Sequence, residues 1–426
     1  MKVAIIGSGG REHALALKIS QSDSLSKLFT IPGNPGTKSL GENISLNISD
    51  HDALLKFCKD EKIDLVVVGP EQPLVDGLAD KLRANKINVF GPNQKSAMIE
   101  GDKVFSKFLM KKYNIPSADF EVFTKAEYKE TINYLKKSDF PLVIKASGLA
   151  AGKGVLICED MQAAENAIND CFNKSIFGSA GDSVVIEEFM VGQEASIFAV
   201  TDGNGYVLLP SAQDHKRIYD GDKGKNTGGM GAYAPAPIVT KDIIKEIENK
   251  IIIPTLNAIS NEVGVYNGCL YCGLMLTNKG VRVVEFNCRF GDPEIQAVLP
   301  LVEGDFLKLL YSAALGNIDK AVVSYSGGSA ICVVAASGGY PETYEKGFEI
   351  SGLDAPFDNN VIVYHAGTKE IDGKIVTNGG RVLGITGVLK KNDLSSCKTI
   401  TYGALEKIKF NNIHYRKDIA DKAIKN

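Results

Sequence analysis

The apolar run Lys2-Val-Ala-Ile-Ile6 breaks at Gly7-Ser-Gly-Gly10 and passes into a helical stretch reaching about Ile19. Short β-branched runs recur at Leu28–Ile31, Leu65–Gly69 and Asn88–Phe90, with a helix-period stretch at Asp50–Lys62. Strands alternating with helices at this spacing predict a doubly wound parallel sheet over residues 1 to about 100. Asp102–Tyr113 reads as a helix that Ile115-Pro116 stops. From Phe120 to Phe189 the order is strand, helix (Lys125–Lys137), strand (Pro141–Lys145), glycine loop, strand (Val155–Cys158), helix (Met161–Asn173) and strand (Ser183–Glu188), a second small unit. Strands follow at Glu194–Val200, Tyr206–Pro210, Cys269–Thr277 and Val281–Asn287, with a long helix near Thr240–Glu262 among them. The last hundred or so residues are strand-rich (Ala330–Ala335, Val361–His365, Arg381–Val388) and close with a helix near Leu394–Lys409. The pattern is that of an α/β chain with several domains.

Composition narrows the function classes. The 426 residues are 44% hydrophobic and 23% charged, near globular averages, which excludes disordered and collagen-like chains. A net charge of −3 offers no global attraction for nucleic acid or an anionic membrane. The apolar run at the N-terminus is too short for a secretory signal or a spanning helix, so a cytoplasmic protein is expected. Eight scattered cysteines are expected to be reduced and buried. Cys269 and Cys272 lie three apart on an expected strand, hence on opposite faces, which argues against a shared metal. Thirteen of the 43 glycines fall in four short loops, at 7–10, 33–36, 148–154 and 221–231.

The first of these loops, Gly7-Ser-Gly9-Gly10-Arg11-Glu12, matches a dinucleotide fingerprint at two glycines and fails at the third, where Glu12 stands. It reads either as a tight turn or as a helix N-terminus holding a phosphate or carboxylate beside Arg11. The second, Lys145-Ala-Ser147-Gly148-Leu-Ala-Ala-Gly152-Lys153-Gly154, has lysines at both margins and suits a polyphosphate, although it lacks the Ser or Thr of a P-loop. The third, Asp214 through Gly231, carries Lys216, Arg217 and the glycines at 228, 229 and 231 without apolar periodicity, and is expected to be a long mobile loop that grips anions. His215 within it reads as structural.

Val281–Glu294 is the most informative segment. On a strand Glu285 and Asn287 face one way, with Val284 and Phe286 toward the core. Two oxygen ligands on one face suit Mg²⁺ carried by a nucleotide, whose phosphates and waters complete the octahedron. Arg289 and Asp292 follow in a Gly-Pro turn.

Taken in order, Gly7-Ser-Gly-Gly-Arg-Glu-His13-Ala, Val68-Gly-Pro-Glu71-Gln-Pro-Leu, Lys145 through Val155, Glu187-Glu188-Phe189, Asp214-His-Lys-Arg217 with Thr227-Gly-Gly-Met230-Gly, and Arg289-Phe-Gly-Asp-Pro293-Glu-Ile-Gln296 resemble the phosphoribosylamine-glycine ligase family, also called glycinamide ribonucleotide synthetases. The resemblance spans the chain and implies an ATP-grasp fold. Its implied domains are an N-terminal substrate domain (1–101), a central domain (102–119 and 190–324), a lid (120–189) and a C-terminal β-rich domain (325–426). The implied reaction joins glycine to 5-phosphoribosylamine at the expense of ATP, through a glycyl phosphate, in purine synthesis.

The same resemblance assigns residues. Lys103 and Lys145 would contact phosphates, with Ser147, Gly148, Gly152, Lys153 and Gly154 in the loop. Glu187, Glu188 and Phe189 would read adenine, and Glu194 the ribose. Glu285 and Asn287 would carry Mg²⁺ or Mn²⁺. Gly9, Gly10, Arg11, Glu12, Lys216, Arg217, Thr227, Gly228, Gly229, Met230 and Pro293 would bind substrate. Arg289 would grip the glycyl phosphate, while Asp214 and Asp292 would hold ammonium groups or accept the amine proton; with Lys145 these form the expected catalytic set. The partners implied are small molecules, and the family is monomeric or weakly dimeric. Rival readings are a biotin-carboxylase-like or carboxyaminoimidazole-forming ligase, a nucleotide-binding regulator, and an NAD-dependent oxidoreductase, the last opposed by Glu12.

Overall fold

The computed structural model describes residues 1–150 and 154–424. At the N-terminus, strands Lys2–Gly7, Lys27–Pro32, Glu42–Asn43, Leu65–Val68 and Asn88–Phe90 form a five-stranded sheet whose spatial order runs third, second, first, fourth, fifth. All pairings are parallel. Their continuous burial explains the unbroken apolar runs, since helices cover both faces of such a sheet. The order reverses between Lys2–Gly7 and Leu65–Val68, and a doubly wound sheet opens its crevice at that point. Glu12, in the first turn of the helix Gly10–Ile19, fills the reversal point: a Cβ on Gly69 would stand 2.1 Å from its Oε1. The residue that breaks the dinucleotide fingerprint therefore plugs the crevice with a carboxylate.

Residues 120–188 build an antiparallel four-stranded sheet, ordered Phe120–Thr124, Ser183–Glu188, Leu142–Ala146, Val155–Cys158, with its own apolar core. A second four-stranded sheet runs Tyr206–Leu208, Gln193–Thr201, Gly268–Thr277, Gly280–Asn287, so the strand carrying Glu285 and Asn287 lies at its edge. Cys269 and Cys272 fall in different apolar clusters on its two sides, as their spacing requires. All eight cysteines are free and buried.

The C-terminal sheet draws two strands from earlier in the chain. Gln213–Asp214 pairs with Gly231–Ala234, which pairs with Ser329–Ser337, followed by Arg381–Leu389 and Val361–His365. The segment between the first two strands corrects the expectation of a long mobile loop. Arg217–Tyr219 and Lys223–Asn226 form an antiparallel hairpin, with Gly221 and Asp222 at positive φ in its turn. The hairpin shows no apolar period because it buries one side chain, Ile218, against Met230 and Ala336, while polar contacts hold its turn. The long helical stretch runs Lys241–Glu262 with a π turn at Glu248–Ile252, and the late helix ends at Leu405.

Candidate active site

A single cavity of about 1200 Å³ opens where the four-stranded sheets, the N-terminal crevice and the C-terminal sheet meet. Its wall includes Arg11, Lys103, Lys145, Gly154, Glu187–Phe189, Glu194, Asp214, Lys216, Arg217, Thr227, Gly228, Glu285, Asn287, Arg289 and Asp292, residues drawn from across the sequence. Gly9, Gly10, Glu12, Ser147, Gly148, Gly229, Met230 and Pro293 are not among the residues that line it. Gly152 and Lys153 lie outside the described residues.

The lysine end is fixed by a helix cap. Asp102 caps Lys103–Lys112 by accepting from the amides of Val104 and Phe105, and Ser147 Oγ donates to the same carboxylate at 2.7 Å. The Lys103 amide donates to the Ser147 carbonyl, and Lys103 Nζ to the Gly148 carbonyl at 3.1 Å. Ser147 and Gly148 are thereby tied to a helix N-terminus and position Lys103. Burial lowers the Lys103 ammonium pKa and Lys145 lowers it further, while the nearby Glu285 opposes.

Lys145 Nζ lies 2.9 Å from Glu187 Oε2 and donates to the Val284 carbonyl at 2.9 Å. That carbonyl is available because the strand bulges. Gly273 opposes Glu285 and Leu274 opposes Val283, which leaves Val284 unpaired and facing the cavity. Val284 does not face the core as strict alternation predicts; Val283 and Phe286 do. Glu285 and Asn287 still share the cavity face, two residues apart beyond the bulge.

Lys216 Nζ stands 3.2 Å from Glu194 and 3.6 Å from Glu285. Burial raises the Glu285 pKa, but Lys216, Lys145, Lys103 and Arg289 together outweigh it and hold the carboxylate ionised. Asn287, in the amide orientation that satisfies its neighbours, donates to Glu100 Oε1 at 3.0 Å and to the Phe286 carbonyl, leaving its oxygen on the other branch. An ionised carboxylate and an amide oxygen on one face are hard donors that fit Mg²⁺ or Mn²⁺. Among the described residues no cluster of three or more His, Cys, Asp or Glu side chains could hold a metal alone. An ion here needs phosphate oxygens and waters to complete its shell.

At the far end Arg289 is deeply engaged. Its Nη2 lies 2.8 Å from Glu100 Oε1 and its Nε donates to Glu71 Oε2 at 3.1 Å. Asp292 pairs with Arg381 at 2.9 Å and accepts from Gln296 at 2.6 Å. Burial raises the Asp292 pKa, yet the charges of Arg381 and Arg11 keep it below the usual carboxylate range. Asp214 behaves oppositely: burial pushes it well above that range, Glu294, Glu194 and Glu285 add to the shift, and Lys216 only partly opposes it.

Glu71, Glu100, Lys107, Tyr271, Glu294 and Arg381 line the cavity without having been assigned roles from sequence. Glu71 and Glu294 sit inside motifs that carry the resemblance, so position gave a signal there. Arg381 gave none, because it reaches the site from the C-terminal sheet. His215 is buried and, as expected, has no place in the wall.

The chain matches the family models for the N domain (residues 1–100), the ATP-grasp (A) domain (101–295) and the C domain (330–422) of phosphoribosylglycinamide synthetase. It is 46% identical over 420 residues to a phosphoribosylamine-glycine ligase of Caldanaerobacter subterraneus, covering 99% of both chains. The crystal structure of the phosphoribosylamine-glycine ligase of Thermotoga maritima superposes with a TM-score of 0.83 at 36% identity, over 99% of this chain and 100% of that one. The biotin carboxylase domain of a Hydrogenobacter thermophilus 2-oxoglutarate carboxylase shares the fold, with a TM-score of 0.75 at 15% identity over 97% and 91% of the two chains. With family models along most of its length and a near full-length relative at this identity, the chain belongs to the phosphoribosylglycinamide synthetase family of ATP-grasp proteins.

Proposed function

We propose that this chain ligates glycine to 5-phosphoribosylamine, converting ATP to ADP and phosphate and yielding glycinamide ribonucleotide in de novo purine synthesis. The observation that carries the reading is the one cavity with a lysine and carboxylate end, at Lys103, Lys145 and Glu285, and an arginine and aspartate end, at Arg11, Arg381 and Asp292. ATP occupies the first, between the 120–188 sheet and the edge strand, with adenine against the backbone of 187–189 and ribose near Glu194. This places the nucleotide between the lid (120–189) and the central domain (102–119 and 190–324), with the N-terminal (1–101) and C-terminal (325–426) domains closing the substrate end.

A glycine carboxylate oxygen attacks the γ-phosphorus, ADP leaves, and glycyl phosphate forms. The amine of phosphoribosylamine then attacks the acyl carbon, phosphate departs, and the amine proton passes to a base. Lys145 and Lys103 stabilise charge as it shifts onto the leaving ADP. Mg²⁺ or Mn²⁺, held by Glu285 and Asn287, supplies further positive charge at the phosphates when bound.

The two aspartates divide the remaining work. Asp292 is locked as an anion by Arg381 and Arg11, which suits holding an ammonium group and makes it a poor proton acceptor. Asp214, with its raised affinity for a proton, is the better base. Arg289 is braced by two carboxylates, so its guanidinium enters the site with a fixed orientation. Gly228 presents the loop backbone beside Asp292, and Gly229, at positive φ, lies so close to Pro293 that a Cβ would meet Pro293 Cδ at 2.4 Å.

The chain acts as a monomer or weak homodimer in the cytoplasm. The unpaired, buried state of its cysteines is compatible with that location. Mass spectrometry of a reaction containing ATP, Mg²⁺, glycine and phosphoribosylamine tests the function, with glycinamide ribonucleotide as the expected product.

A further inference from the structure

Arg416 is the largest fully buried side chain among the described residues, and it lies ten residues before Asn426. Its guanidinium is spent on directional contacts. Nε and Nη2 donate to the two oxygens of Asp418, each at 2.7 Å, while Nη1 donates to Asp222 at 2.9 Å and to the Arg217 carbonyl at 3.1 Å. The last two acceptors belong to the hairpin 217–226. Other contacts join the same segments: the Gly221 amide donates to Asp418, the Lys417 amide to Asp220, and His414 Nε2 pairs with the Ile218 carbonyl. Tyr402 anchors the strap to the C-terminal body by donating to the Arg416 carbonyl at 2.8 Å.

A buried ion pair adds little net stability over apolar packing, because desolvating the charges offsets their attraction. What a planar fork adds is geometry. Asp222 sits at φ 54, a left-handed conformation that aspartate tolerates better than most residues, and its carboxylate meets the fork at that turn. Arg217, Gly221, Asp222 and Asn226 of this hairpin line the cavity. The hairpin also lies between Lys216, which meets Glu194 and Glu285, and Gly228, which meets Arg381.

We infer that Arg416 is a positioning residue for the ligation: through Asp222 and the Arg217 carbonyl it fixes the hairpin over the substrate end of the cavity, making the C-terminal segment 413–424 part of the active site. The inference rests on the proposed function, and its test separates the two. Asp222→Asn keeps the shape of the turn and leaves the Arg416–Asp418 pair intact; Arg416→Lys keeps the charge and loses the fork. Both variants should raise KM for glycine or phosphoribosylamine about tenfold, with KM for ATP within about twofold of the parent. Both should also speed amide hydrogen exchange in 217–226 while leaving the Ser329–Ser337 strand protected. Unchanged KM values with faster hairpin exchange would overturn the inference, as would a fall in kcat that only tracks the folded fraction. Should the parent protein release no glycine-dependent phosphate, the functional reading fails; unchanged hairpin exchange in Asp222→Asn would independently refute the strap.

Discussion

Arg381 and Asp292, 89 residues apart in sequence, meet at 2.9 Å, and the same guanidinium donates to the Asp292 and Gly228 carbonyls. One arginine of the C-terminal sheet thus sets both a site aspartate and the glycine loop facing it. Arg381→Met should cost about 2–3 kcal/mol in urea-induced unfolding, since a charged hydrogen-bonding partner is lost and buried Asp292 keeps only Gln296 and the more distant charges of Arg11 and Arg289. It should lower kcat/KM for glycine or phosphoribosylamine more than for ATP, as steady-state kinetics would reveal.

Asp214 is expected to take the amine proton. Its raised pKa means that the protonated form persists above the ordinary carboxylate range, so kcat/KM should climb with pH as the carboxylate ionises. Asp214→Asn should reduce turnover by about a hundredfold or more and abolish that limb of the pH profile. An acidic limb that survives in the variant assigns it to another group.

Glu285→Gln should remove most turnover without unfolding the protein, because the side chain is held by charges in the cavity rather than by core packing. Titration with Mn²⁺ and ATP, followed by electron paramagnetic resonance, should register weaker ion binding. Normal binding in the variant would rule out Glu285 as a ligand.

Acid stability should depend on Glu71. Burial raises its pKa, but Arg289 and Arg11 outweigh this and bring it from 4.5 to about 2. A folded-state pKa below the unfolded one stabilises at pH values above 4.5, and the contribution disappears as pH falls toward 2. Its size is on the order of 2–3 kcal/mol. Glu100, the other partner of Arg289, has its pKa raised by burial and does not contribute in this sense. Glu71→Gln should therefore flatten the fall in unfolding free energy between about pH 5 and pH 2.

The parallel sheet was legible in the sequence because strands buried on both faces write themselves as apolar runs such as Leu65–Val68. The lysine and carboxylate end of the cavity was legible for a related reason: Lys145 lies on a regular strand, and Glu285 and Asn287, two apart beyond the bulge, keep the shared face that their spacing implies. The bulge at Val284 was not, since one extra unpaired residue leaves the apolar pattern intact and changes only which carbonyl meets Lys145. Arg381 and Arg416 were hidden for a different reason. Each acts through contacts between distant segments, and an arginine in a strand or near a terminus reads the same whether it faces solvent or a buried carboxylate.

The central claim is a glycine-dependent ligation fuelled by ATP. Phosphate release by the purified protein, followed with glycine and phosphoribosylamine supplied singly and together, tests it most directly. Full release should require both substrates and yield one phosphate per glycinamide ribonucleotide formed; release indifferent to glycine would contradict the account.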